Sequence, residues 1–254
     1  MGTRGGAAPM SDGPPVVALF RPDDARMRQS AALVTEHGGR PLCDPMLSVV
    51  AMGQLPPLDA PMTVFTSRTG VEIAAAAGWT PAGTDVVAIG PATAAVAVDA
   101  GWARPPVPGR YDSEGLAELI IEQDPTRVVI ARSDHGSAVL PAALAAAAVP
   151  YEEVVLYRLE RPGDAGASVT ATAEGAVDAL AFTSSLTVEH FHEIAAEADL
   201  TAAIMARRSQ LTVGAIGAPT AETLGAHGLE ADCIPAEATA DALIEAIFQT
   251  FDAS

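Results

Sequence analysis

The chain has 254 residues, 49% of them hydrophobic, with 14 Lys+Arg against 32 Asp+Glu and a formal net charge of −18. That apolar content excludes a wholly disordered acidic polymer, and that charge excludes a nucleic-acid binder, which needs a positive patch. At roughly 100–200 residues per domain, the length predicts two domains with substantial cores.

In chain order, Met1 to Gly13 has no apolar stretch and reads as a loose tail rather than a signal peptide. Short Val- and Ile-rich runs follow at Val16–Phe20, Met62–Phe65, Val86–Ile89, Arg127–Ala131, Val154–Leu156, Ala179–Phe182 and Leu211–Ile216. Their near-continuous apolar character predicts strands buried on both faces of a parallel sheet. Helical stretches lie between them, several closed by a glycine, as at Gly38, Gly101 and Gly228. No run approaches the roughly 18 apolar residues of a membrane span, so a soluble cytoplasmic protein is expected. Cys43 and Cys233 stand far apart, with neither a metal spacing nor a disulfide framework, and are expected as reduced structural thiols.

The chain also repeats itself. Val64-Phe65-Thr66-Ser67, Ala88-Ile89-Gly90-Pro91-Ala92-Thr93-Ala94, Gly101 and a helix opening at Ser113 form one copy. Ala181-Phe182-Thr183-Ser184, Ala215-Ile216-Gly217-Ala218-Pro219-Thr220-Ala221, Gly228 and a helix opening at Thr239 form the other. The second copy is longer, and Ala195–Arg208 has room for a further helical turn or two. A weaker repeat places Arg21 after Val17–Phe20 and Arg132 after Val129–Ala131. The economical reading is two similar α/β domains facing each other, with ligand at the carboxyl ends of the strands.

Each Thr-Ser pair and each Ile-Gly turn falls where a strand gives way to a helix, where free N–H groups and the helix dipole favour an anion. Thr66, Ser67, Gly90, Thr93, Thr183, Ser184, Gly217 and Thr220 are therefore candidate ligand contacts. The same residue types are also ordinary helix caps. Arg21, Arg68 and Arg132 could clamp carboxylates, or could pair locally with acids such as Asp23, Asp24 and Asp134. His37 and His227 precede helix-ending glycines, His190 and His192 do not share a helix face, and His135 sits in a loop after Arg132. Phosphate-loop, dinucleotide and nucleophile-elbow motifs are missing. Tyr157, one of three tyrosines, ends a strand and could donate a proton to a leaving oxygen or simply pack its ring.

From about Val16 to Phe251 the chain resembles the uroporphyrinogen-III synthase family. The likeness is carried by Arg21-Pro22, Phe65-Thr66-Ser67 with Gly70-Val71, Ile89-Gly90-Pro91-Ala92-Thr93-Ala94, and Ser113-Glu114-Gly115-Leu116. It continues through Arg132, Val155-Leu156-Tyr157, Phe182-Thr183-Ser184, and Ile216-Gly217 with Thr220-Ala221. The resemblance implies two three-layer α/β domains with parallel sheets, joined by a two-stranded β-ladder and enclosing a cleft. It assigns 14–41 with 162–254 to one discontinuous domain, 50–150 to the other, and 42–49 and 151–161 to the linking strands. It implies cyclisation of hydroxymethylbilane to uroporphyrinogen III, with loss of water and inversion of ring D, by a monomer without cofactor or metal. Tyr157 falls on the tyrosine that helps the hydroxyl leave, Thr220 on the second Gly-Pro-Thr-Thr motif and Ser184 on a Ser-Pro-Ser-like turn. The acidic, lysine-free composition suggests a salt-adapted form, because about 1 M salt screens charges beyond about 3 Å. Two other readings stand beside this one: a non-catalytic two-domain polyanion or tetrapyrrole sensor, and an unrelated α/β enzyme acting on sugars or nucleotides.

Overall fold

The continuous apolar runs do become buried strands. The computed structural model describes residues 13–253, so the expected tail over 1–13 lies outside the described residues except for Gly13. The strands are β1 (Val16–Phe20), β2 (Arg40–Cys43), β3 (Ser48–Ala51), β4 (Met62–Phe65), β5 (Asp85–Ala88), β6 (Val128–Ser133), β7 (Tyr151–Glu160), β8 (Ala179–Phe182) and β9 (Thr212–Ala215). The helices are α1 (Ala25–Glu36), α2 (Arg68–Ala76), α3 (Pro91–Asp99), α4 (Ser113–Glu122), α5 (Val139–Ala146), α6 (Ala167–Glu174), α7 (Ser185–Glu197), α8 (Thr201–Ala206), α9 (Ala218–Ala226) and α10 (Ala240–Asp252). The chain divides into one unit of Met1–Ser48 with Glu160–Ser254 and a second of Val49–Leu159.

The first unit holds a sheet ordered β2-β1-β8-β9 whose strands all pair in parallel. Strand alternation sends Val17, Leu19, Ala179 and Ala181 to one face, where Met27 and Val34 of α1 and Leu243, Ile244 and Ile247 of α10 cover them. Ala18, Phe20, Leu180, Phe182, Val213 and Ala215 face the other way, against Val169 of α6, Val188 and Phe191 of α7, Ile204 of α8 and Leu224 of α9. Phe20 stacks on Phe182 at 4.6 Å between centroids, and Phe191 meets both edge-on. Helix α8 is the extra turn for which the longer second copy has room.

The second unit holds the sheet β3-β7-β6-β4-β5, and its β4–β5, β4–β6 and β6–β7 pairings are parallel. Met62, Val64, Val87, Val128 and Ile130 pack on Leu116 and Ile120 of α4 and Leu140 and Leu144 of α5. Phe65, Ala131, Leu156 and Tyr157 pack on the opposite face with Val71 and Ala74 of α2, Ala97 of α3, Trp79 and Trp102. Each unit is therefore helix–sheet–helix in section, as expected for buried parallel sheets.

The order β2-β1-β8-β9 in one unit matches β7-β6-β4-β5 in the other. Phe20 pairs with Phe182 as Ala131 pairs with Phe65, so the sequence repeat corresponds to equivalent places in the two sheets. The segment expected as one linking strand over 42–49 is divided. Leu42 and Cys43 pair with Ala18 and Leu19 inside the first sheet, and a separate β3 lies beside β7. The stretch expected as the other linking strand, 151–161, coincides with β7, a full member of the second sheet over Tyr151–Glu160.

Close approach of α10 to the first sheet depends on Gly214 in β9. A Cβ there would lie 2.8 Å from Leu243 Cδ1 and 2.9 Å from Ile247 Cδ1. Gly214→Ala is expected to cost about 1–3 kcal/mol through overpacking, seen as a lower urea midpoint with an unchanged slope.

Candidate active site

In the second unit, Thr66 and Ser67 follow β4, and Ser67 becomes the N-cap of α2, accepting from Gly70 N at 3.0 Å. The β6–β7 register shifts between Arg132 and Ser133: Arg132 lies opposite Val155, but Ser133 lies opposite Tyr157. This irregularity breaks the two-residue alternation, so the consecutive residues Leu156 and Tyr157 are both buried in one cluster. It brings the Tyr157 phenol within 3.0 Å of Ser67 Oγ. The Tyr157 ring is only 5% exposed. Thus the structure joins two candidates from opposite ends of this unit's chain.

The next strand leads to Gly90, the N-cap of α3, with Pro91 as first helical residue and no side-chain cap. Thr93 is buried at its base. Tyr111 is exposed and packs over Gly90, where an added Cβ would meet Tyr111 Cβ at 3.3 Å. Neither this tyrosine nor the Gly70 donor was singled out by spacing, since both contacts arise from the fold. Arg68, the first residue of α2, is exposed and forms no ion pair among the described residues.

The first unit repeats the plan with different partners. The Thr183 hydroxyl donates to Phe20 O at 2.7 Å, tying β8 to β1. Ser184 caps α7, accepting from Thr187 N at 3.3 Å. Gly217, just after β9, is the N-cap of α9 in an extended conformation, again without a side-chain cap, and Pro219 stands one place later than Pro91 does. The displaced proline leaves the helix start intact, and Thr220 is buried as Thr93 is. Neither α2, α3, α7 nor α9 carries an acidic residue in its first turn. Their positive ends therefore remain available to an anion even in so acidic a chain.

Two arginines are committed within their own units. Arg132 is buried, pairs with Glu153 Oε2 at 3.0 Å and donates to Ser137 O at 3.0 Å. Gly136 lies flat against its guanidinium, leaving no room for a Cβ. Its partner is Glu153, across the β6–β7 pair, and not the neighbouring Asp134, which instead accepts from Leu159 N. Arg21 donates to Ser30 Oγ at 3.2 Å and lies 4.0 Å from Asp24. These contacts fasten each arginine beside its strand, and Arg68 is the exposed guanidinium next to Ser67.

The histidines are elsewhere. His190 contacts Met46 O at 2.6 Å, and His192 of α7 stacks on His227 at 4.2 Å with planes 11° apart. Burial, helped by His227, pushes His192 from its ordinary 6.5 down to about 4. The folded value lies below the unfolded one, so this contribution to stability is complete above about pH 6.5 and is lost as pH falls toward about 4. The melting temperature should drop across that window, and His192→Phe should flatten the drop. Among the described residues, no three His, Cys, Asp or Glu side chains gather in a way that could hold a metal ion.

The family model described as "Uroporphyrinogen-III synthase HemD" matches residues 28–245. The chain belongs to the uroporphyrinogen-III synthase family. A curated protein of Methanothermobacter thermautotrophicus, named "Putative uroporphyrinogen-III synthase", is 29% identical over 232 residues, covering 85% of this chain and 90% of its own. The fold is also that of solved uroporphyrinogen-III synthases. A mutant enzyme from Thermus thermophilus superposes with a TM-score of 0.65 at 20% identity, over 94% of this chain and 100% of its own. The Helicobacter pylori enzyme superposes with a TM-score of 0.63 at 15% identity, over 91% and 97%. Membership in this family supports a lyase-type activity on tetrapyrroles, and no helix among the described residues is long and apolar enough to cross a membrane.

Proposed function

We propose that this chain is the synthase that closes hydroxymethylbilane to uroporphyrinogen III, with loss of water and inversion of ring D. The observation that carries this reading is the Tyr157 phenol held at 3.0 Å from Ser67 Oγ at the start of α2, in a chain of the uroporphyrinogen-III synthase family. The bilane also closes without enzyme to the uninverted type I isomer, so the protein must chiefly control conformation. Hydroxyls and helix N-termini suit that task. Arg68, Thr66, Thr93, Gly90, Thr183, Ser184, Gly217 and Thr220 serve the substrate's carboxylates and pyrrole N–H groups, and Tyr157 protonates the departing hydroxyl. Arg21 and Arg132 support the adjoining strand ends.

A chain of net charge −18 repels a polycarboxylate, and salt weakens that repulsion. The lysine-free composition fits a protein that works in high salt, so the Michaelis constant should fall as KCl is raised into the molar range. The deciding experiment is a coupled assay in multimolar KCl, fed with freshly generated hydroxymethylbilane, with the isomers separated after oxidation. A protein-dependent excess of type III supports the synthase. Only type I product from folded protein would replace it with a binding protein of the same fold.

A further inference from the structure

We propose that Ser67 is the positioning residue for Tyr157, donating its hydroxyl proton to the phenol oxygen so that the phenol's own proton is free for the substrate. This rests on the synthase reading above. A serine hydroxyl has one proton to donate and two lone pairs to accept. One lone pair of Ser67 Oγ already accepts from Gly70 N at 3.0 Å, and the phenol oxygen of Tyr157 lies at 3.0 Å. Among the described residues Ser67 is the only hydrogen-bond partner of that phenol. A chain therefore runs from Gly70 N–H through Ser67 O–H to Tyr157 O–H, each bond polarising the next. Because it starts at the N-terminus of α2, the positive end of that helix favours negative charge on the phenol oxygen. The fold fixes this geometry at both ends. Gly70 lets α2 approach, since a Cβ there would stand 3.2 Å from Ser67 Oγ and 3.3 Å from Leu156 Cδ1. The register shift of β7 turns Tyr157 inward.

The chemistry balances. The Tyr157 proton passes to the hydroxymethyl oxygen as the carbon–oxygen bond breaks, its electron pair leaves with oxygen, and water departs. The phenolate left behind accepts the Ser67 hydrogen bond. The substrate carbocation bonds to the substituted α-carbon of ring D. The bond from that carbon to its original methylene breaks, with its electron pair returning to ring D. The methylene cation so released bonds to the free α-carbon, which inverts the ring. The free α-carbon of that ring later loses its proton, which returns to Tyr157. The net change is bilane to macrocycle plus water, with the tyrosine restored.

The test is a double-mutant cycle on type III formation, using Ser67→Ala, Tyr157→Phe and the pair, with Ser67→Asp and Ser67→Thr alongside. Loss of a hydrogen bond to a developing anion should lower kcat about 10- to 100-fold in Ser67→Ala, with KM nearly unchanged. The same change should have almost no effect in the Tyr157→Phe background. Ser67→Asp keeps the helix cap but has no proton to donate, so it should be as slow as Ser67→Ala while melting like the wild type. Ser67→Thr should restore most of the rate. Additive losses in the cycle, or a fast Ser67→Asp enzyme, would overturn the positioning role while leaving the synthase reading in place. A wild-type protein that forms no type III isomer would overturn that reading and the positioning role with it.

Discussion

Tyr157→Phe protein is expected to form uroporphyrinogen III about 100-fold more slowly than the wild type, with type I product rising to replace it. General acid catalysis is typically worth about 10²–10⁴-fold, and the lower end applies because the bilane ionises and closes unaided. The substitution removes one oxygen from a side chain that is only 5% exposed and keeps its packing against Phe65, Trp79 and Leu156. Its melting temperature should therefore stay close to that of the wild type. The measurement is the type III to type I ratio at matched protein concentrations. A ratio equal to the wild type's would show that folding of the substrate alone accounts for the activity.

The largest loss of stability is expected from Asp44→Ala. The Asp44 carboxylate lies just after β2, is 3% exposed, and accepts from Gly166 N at 3.1 Å, Ser168 N at 2.8 Å and Ser168 Oγ at 2.5 Å. It thereby caps α6 from a point 124 residues away in sequence. Alanine leaves those donors buried without an acceptor, at a cost of about 3 kcal/mol or more. That is a large part of the roughly 5–15 kcal/mol by which proteins are typically stable. Asp44→Asn retains an acceptor oxygen and should recover part of the loss. Trp79 and Trp102 both belong to the second unit, so tryptophan fluorescence reports that unit alone. The damage should appear in urea unfolding followed by far-UV circular dichroism, at lower urea than the fluorescence change.

The sheets were legible where burial made sequence monotonous: Val16–Phe20, Met62–Phe65 and Ala179–Phe182 are apolar or β-branched throughout and are wholly buried. β2 and β3 were hidden because they are sheet edges. Arg40-Pro41-Leu42-Cys43 is partly exposed and tolerates a proline, and Ser48–Ala51 is mostly exposed, so neither shows a continuous apolar run. In the candidate site, residue types at strand ends could be read from the repeat, but their partners could not. Ser67 and Tyr157 stand 90 residues apart, and their contact depends on a register irregularity that no spacing announces. Arg21 and Arg132 looked alike in sequence, yet the acids and hydroxyls around them are set by tertiary packing. Asp44 gave no signal, because a lone aspartate in a loop says nothing of a helix that begins more than a hundred residues later.

The interleaving of the two units bears on how the chain comes off the ribosome. β1 is flanked by β2 and β8, and the Val16 amide is satisfied by Asp178, which follows it by 162 residues. At about 5–20 residues per second, that partner is made roughly eight to thirty seconds later. All of Val49–Leu159 is synthesised in the meantime and can pair its strands within itself. The nascent chain must therefore carry β1, with its continuous apolar run, half-paired until β8 has been made. Among the described strands β1 therefore waits longest for its second neighbour, which marks it as the segment most in need of a chaperone.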